Sequence, residues 1–211
     1  MTTRTLLTIG LVTLSVSVSA QQPAPHAMTA MKPMTDTVKM KLAMSAGPVD
    51  ITKNAAVAEM DDKGMMRQLR AGTNGWTCML LPTSKDVVLD AMCGDKAWEA
   101  WGDAYMAKKA PMTGTVGVAY MLQGDHGASN TDPYAMAPSG TNEWVVSPPH
   151  VMLLVPDMKT LDTLPTDPHA GGPWVMWKGS PYAHVMVPLS AVPMMTGGMK
   201  PMDKTMPMEK K

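Results

Sequence analysis

The chain has 211 residues, 45% of them hydrophobic, and its 18 basic side chains balance 18 acidic ones. That balance leaves no electrostatic footprint for nucleic acid or an anionic membrane, so neither is expected as a partner. The compositional anomaly is 25 methionines against no phenylalanine, and eleven of those methionines fall in residues 21–46 and 193–211, which are rich in Pro, Lys and Thr.

Residues 1–20 carry one early positive charge at Arg4, an apolar run from Leu6 to Val18, and small residues at Ser19 and Ala20. This pattern reads as a secretory signal peptide and predicts a periplasmic or secreted, bacterial protein. The run is short of the ~20 residues of a membrane helix, so no span is expected in the mature chain. Residues 21–46, with Pro23, Pro25 and Pro33 and no sustained period, read as a disordered Met/Pro/Lys linker. Residues 193–211 read as a second disordered, Met-rich tail. Between them, residues 47–192 are expected to form one globular domain.

Within that domain, residues 55–69 place a turn at Asp61–Gly64 between two apolar-containing arms, the pattern of a β-hairpin. TNGW at 73–76 marks another turn. Asp95 is a good N-cap, and residues 96–109 set Trp98, Trp101, Tyr105 and Met106 at helical spacing. Strand character follows at 116–122, 144–146, 150–155, 174–177 and 184–187, with a short helix at 157–164. Runs of strands with one longer and one short helix predict an α+β fold with a mainly antiparallel sheet. Cys78 and Cys93 are an even pair in a chain expected to be exported, so a disulfide is the expectation.

Thioether sulfur is a soft ligand, which makes Cu(I) or Ag(I) the candidate ions for so much methionine. Two locations suggest themselves. MKPM occurs twice, offering Met31 and Met34 in one flank and Met199 and Met202 in the other. HVM also occurs twice, and because alternate strand residues share a face, His150 with Met152 and His184 with Met186 would meet on one face if the strands are neighbours. The competing interpretation is a strand buried on both faces, with hydrogen-bonded histidines and core methionines. Trp174 and Trp177 lie close in sequence, where an indole face could cover a cation or fill the core.

The loop GDHGASNTDP at 124–133 gathers Asp125, His126, Ser129, Asn130 and Asp132. A hydrolase would use His126 or His150 as base and Ser129 as nucleophile, yet no GxSxG elbow supports it and these are also ordinary turn residues.

The segments ITKNAAVAEMD (51–61), TNGWTCM (73–79), DKAWEAW (95–101), AYMLQG (119–124), ASNTDPYA (128–135), PHVM (149–152) and VMWKGSPYAHVMVP (175–188) resemble a group of exported bacterial proteins with no assigned activity. The resemblance implies a single exported domain and touches Asn130, Asp132, His150 and His184. The Met-rich flanks are not part of that pattern, and residues 80–91 are more apolar than it. A soft-metal binder is therefore the first functional expectation. An exported module binding a small ligand or a protein through residues 124–150 and 174–184 is the second, and a hydrolase the third.

Overall fold

The computed structural model of the protein describes residues 34–61, 64–82, 89–112 and 114–194. Its first element, α1 (Asp36–Met44), corrects the expectation of a linker over 21–46, because Met40, Leu42, Ala43, Met44 and Ala46 pack into the core. Thr35 caps the helix, its Oγ1 accepting the Val38 amide at 3.4 Å, and Asp36 sets negative charge in the first turn, where the helix dipole favours it. Ala43 and Ala46 are fully buried in a cluster with Val57, Cys78, Leu80 and Cys93, and Met40, Leu42 and Met44 pack against it. Alanine and methionine pack well but contrast weakly with their neighbours in hydropathy, which is why no helical period stands out. Outside this contact Lys39 pairs with Glu59 at 2.6 Å, and Arg67 bridges Glu59 and Asp36.

After α2 (Val49–Thr52) come β1 (Ala56–Met60), β2 (Met66–Arg70), β3 (Trp76–Pro82) and β4 (Leu89–Asp95). Then follow α3 (Lys96–Met106), β5 (Gly117–Met121), β6 (Ala128–Ser129), β7 (Trp144–Val145) and β8 (His150–Leu154). A 3-10 helix (Met158–Thr163), β9 (Trp174–Met176) and β10 (His184–Pro188) complete the order. Among the described residues, eight strands form one sheet in the order β2-β1-β3-β4-β5-β8-β10-β9, in which β1–β3 is parallel and every other pairing antiparallel; β6 and β7 pair separately. The fold is thus α+β with a mainly antiparallel sheet. The predicted hairpin, long helix and later strands are present, whereas β3, β4, β6, α1 and α2 were not expected as elements.

The register aligns Thr77, Gly94, Ala119, Met152, Met186 and Trp174 across six neighbouring strands. Small residues in this row let α3 lie close to the sheet: a Cβ on Gly94 would stand 2.8 Å from the Cβ of Trp98. The start of α3 is tied down by Asp95, whose Oδ1 accepts the Ala97 and Trp98 amides at 3.0 Å while Oδ2 accepts the Val118 amide at 2.8 Å. On the opposite face, α1 covers one end of the sheet, and Leu161 of the 3-10 helix packs on Val175 and Val185 at the other. Cys78 and Cys93 form the expected disulfide, directly opposite one another in β3 and β4 and 15 residues apart in sequence.

Candidate functional site

The two HVM segments are neighbours, since β8 pairs with β10, and their alternation is as expected: Met152 and Met186 lie on the α3 face, while Leu153, Val185 and Val187 lie on the other. Because the strands run antiparallel, Met152 falls directly opposite Met186, but His150 falls opposite Pro188 and His184 opposite Met176. The histidines are therefore four residues apart along the ladder, about 13 Å at the usual strand rise. The structure brings the two thioethers together and holds the two imidazoles at opposite ends.

Each histidine is buried and donates from Nδ1 to a carbonyl two residues before it, His150 to Pro148 at 2.7 Å and His184 to Tyr182 at 3.0 Å. Nε2 of His150 has no hydrogen-bond partner among the described residues. Burial pushes the His184 imidazole down to about 4, so it is neutral at physiological pH. Met34 is described and 39% exposed, whereas Met31, Met199 and Met202 lie outside the described residues. Among the described residues, no group of three His, Cys, Asp or Glu side chains is placed to hold a metal ion.

The 124–133 loop is built for structure. The Ser129 hydroxyl accepts the Thr131 and Asp132 amides at 3.2 and 2.8 Å, and no hydrogen bond joins it to an imidazole among the described residues. His126 instead pairs through Nδ1 with the buried Asp90 at 2.6 Å, and burial raises the Asp90 carboxyl despite that contact. Asn130 is a buried hub: Nδ2 donates to Glu143 at 2.7 Å and to the Thr166 carbonyl at 2.9 Å, and Oδ1 accepts Trp174 Nε1 at 3.1 Å. Trp174 is accordingly a core residue. Asp132 is exposed, its Oδ1 accepting the Tyr134 amide at 2.9 Å.

The loop and β9 together assemble a feature that the sequence shows only in pieces. Trp101 and Tyr105 stand one helical turn apart on α3, and Trp177 follows β9. Their three rings are parallel within 4°, with centroids 5.6, 5.8 and 6.0 Å apart. Tyr134 stacks on Tyr105 at 5.3 Å, and Tyr182 meets Trp101, Tyr105 and Tyr134 edge-on. His184 lies edge-on beneath Trp98, Trp101 and Trp177. The chain has 6 Trp and 4 Tyr, so this one cluster takes six of its ten aromatic side chains.

The polar tips of the platform are fixed from inside the domain. Tyr105 donates to the Pro133 carbonyl at 2.5 Å, Tyr134 to Tyr182 at 2.7 Å, and Trp177 Nε1 to the Ser129 carbonyl at 2.6 Å. Loss of water around it and the bond to Tyr182 push the Tyr134 phenol up to about 12. Trp101, Tyr105 and Trp177 are half-buried and Tyr134 is 41% exposed, so ring surface remains open to solvent. Helical spacing revealed the α3 members, but Tyr134 and Tyr182 come from turns and carried no signal of their own.

Among the described residues, only two non-glycine residues have positive φ, Trp177 at 56° and Lys108 at 54°. Both belong to this platform. A bulky side chain in the left-handed region costs on the order of 1–3 kcal/mol and persists only where its surroundings impose it. For Trp177 the imposing contacts are the indole bond to Ser129 and the bond from its own amide to the Asn130 carbonyl at 2.8 Å. Neither family models, curated proteins nor solved structures offer a match to this chain.

Proposed function

We propose that this protein is an exported binding module and that the aromatic platform of Trp101, Tyr105, Tyr134 and Trp177 is its contact surface. The observation that carries this is the left-handed backbone at Trp177, which sets the indole parallel to Trp101 and Tyr105. Backbone strain held in place by the domain beside partly open rings is a pattern that clusters at functional surfaces. Aromatic rings bring large contact area at small entropic cost and dominate binding surfaces for that reason. The region overlaps residues 174–184 and the 124–150 loop, the place expected for a small-ligand or protein contact.

Tryptophan fluorescence titrated with choline, maltohexaose and a hexaproline peptide tests the reading. Saturable quenching by one of them, lost in Trp177→Ala with the far-UV circular dichroism unchanged, is the expected result. Quenching by none, or quenching that survives Trp177→Ala, would remove the platform as the contact surface.

A second reading rests on the direct pairing of Met152 with Met186, two thioethers able to share one Cu(I) or Ag(I) ion. Thioethers carry no proton, so such a pair should take up Ag(I) equally at pH 5 and pH 7. Loss of uptake in a Met152→Leu, Met186→Leu double variant supports it, and unchanged uptake there rejects this pair.

A further inference from the structure

We infer that the ligand class of the aromatic platform is a small molecule carrying a quaternary ammonium group; this rests on the platform being the binding surface. The end of α3 supplies the first argument. The Lys109 amide donates to the Ala104 carbonyl at 2.9 Å and the Lys108 amide to the Tyr105 carbonyl at 3.0 Å, the paired closure in which a left-handed residue follows the helix. Glycine ordinarily fills that place, because it has no Cβ to strain. Here Lys108 fills it, and the left-handed turn carries its ammonium to 5.4 Å from the centre of the Tyr134 ring. A cation already rests on this face, held by the electron-rich surface of the ring.

Charge points the same way. Asp132, bonded to the Tyr134 amide, is the carboxylate of this loop beside the rings. It sits close enough to Tyr105 to add to the effects of burial and Tyr182 in pushing that phenol up. A negative charge beside exposed ring faces favours a cation over a neutral or anionic ligand.

Hydrogen bonding separates one kind of cation from another. The hydroxyls of Tyr105 and Tyr134 and the indole N–H of Trp177 donate inside the domain, so none of the three offers a ligand a free donor. A primary ammonium such as that of Lys108 must keep its three N–H donors turned to water while it rests on a ring, and a sugar likewise its hydroxyls. A quaternary ammonium brings charge and apolar methyl groups and has no donor to satisfy. The rings touch one another at 5.3–6.0 Å and leave no slot between them, so the ligand lies across the platform. Lys108 is then a resident competitor for the same face.

The test titrates choline, and in parallel its uncharged isostere 3,3-dimethylbutan-1-ol, into the full chain while following tryptophan fluorescence and ligand NMR line widths. Choline should saturate in about the millimolar range, with the isostere weaker by roughly fivefold or more. Lys108→Gly should tighten choline binding and Asp132→Asn should weaken it, each by roughly threefold, and neither substitution touches the core. Equal binding of choline and the isostere would overturn the cation assignment while leaving the platform as a binding surface. Quenching by maltohexaose or hexaproline, with none by choline, would do the same. No response to any of these probes would sink the platform reading itself.

Discussion

The two ends of the sheet are held by different means. At the β2-β1-β3-β4 end the interior is filled by Ala43, Ala46, Ala55 and Ala91 around Val57 and Leu80, closed by a disulfide and clamped outside by Lys39, Glu59 and Arg67. Burial there raises the Glu59 carboxyl, but the hydrogen bonds from Lys39 and Arg67 together bring it below its usual value. At the β8-β10-β9 end the side chains are large and aromatic, the turns hold both left-handed non-glycine residues, and ring surface is left open. One end is organised for closure. The other keeps strain and exposed apolar area together, the combination expected where a surface is reserved for contact.

Removing α1 should break the closed end most severely. A chain beginning at residue 47 would uncover Val57, Leu80 and the disulfide, and its melting temperature should fall by roughly 10–20 °C relative to one beginning at residue 34. An unchanged midpoint would return α1 to the status of a linker. Cys78→Ala with Cys93→Ala should cost about 3 kcal/mol in denaturant unfolding, the chain-entropy value for a closed loop of 15 residues. The platform end should answer to acid instead. Unfolded His184 takes a proton near 6.5, whereas the folded protein refuses it until about 4, so its contribution is complete above 6.5 and declines as pH falls from there to 4. Melting followed across that window should show this loss in the native chain and much less of it in His184→Phe. The smallest effect has the opposite sign: Lys108→Gly should stabilise the protein by about 1 kcal/mol, since glycine suits the left-handed turn. A loss of stability instead would mean that the ammonium over Tyr134 is worth more than the strain.

Much of the later half of the fold was legible. Val151, Leu153, Val185 and Val187 alternate with His and Met, and that alternation assigned β8 and β10 to strands and their aliphatic faces to core. Asp95 and the spacing of Trp98, Trp101 and Tyr105 located α3 for the same kind of reason. The first half was less readable because its packing relies on residues with weak signals. Ala43 and Met40 mark no hydrophobic stripe, and Gly94 sits inside β4, where glycine ordinarily argues against a strand, because only a hydrogen lets Trp98 approach. The site was readable only in fragments. Trp177 was noticed beside Trp174, yet the structure sends one into the platform and the other onto Asn130, a division set by the turn after β9. The HVM repeat correctly placed each His with its Met, but the antiparallel register, invisible in either segment alone, separates the imidazoles.

The turn at Trp177 also bears on solubility. A sheet of eight strands has two edges, and an open edge is a template on which another chain can add a strand. On one side β2 presents the exposed Arg67, a charge that discourages such addition, while Arg70 turns back to the Thr52 and Ala55 carbonyls. On the other, β9 is only three residues long and its outward amides are already taken, that of Val175 by the Pro165 carbonyl and that of Trp177 by the Asn130 carbonyl, each at 2.8 Å. The turn that aims the indole therefore also holds an edge amide against Asn130, so relaxing it would be expected to free that amide and favour self-association as well as disturb the rings.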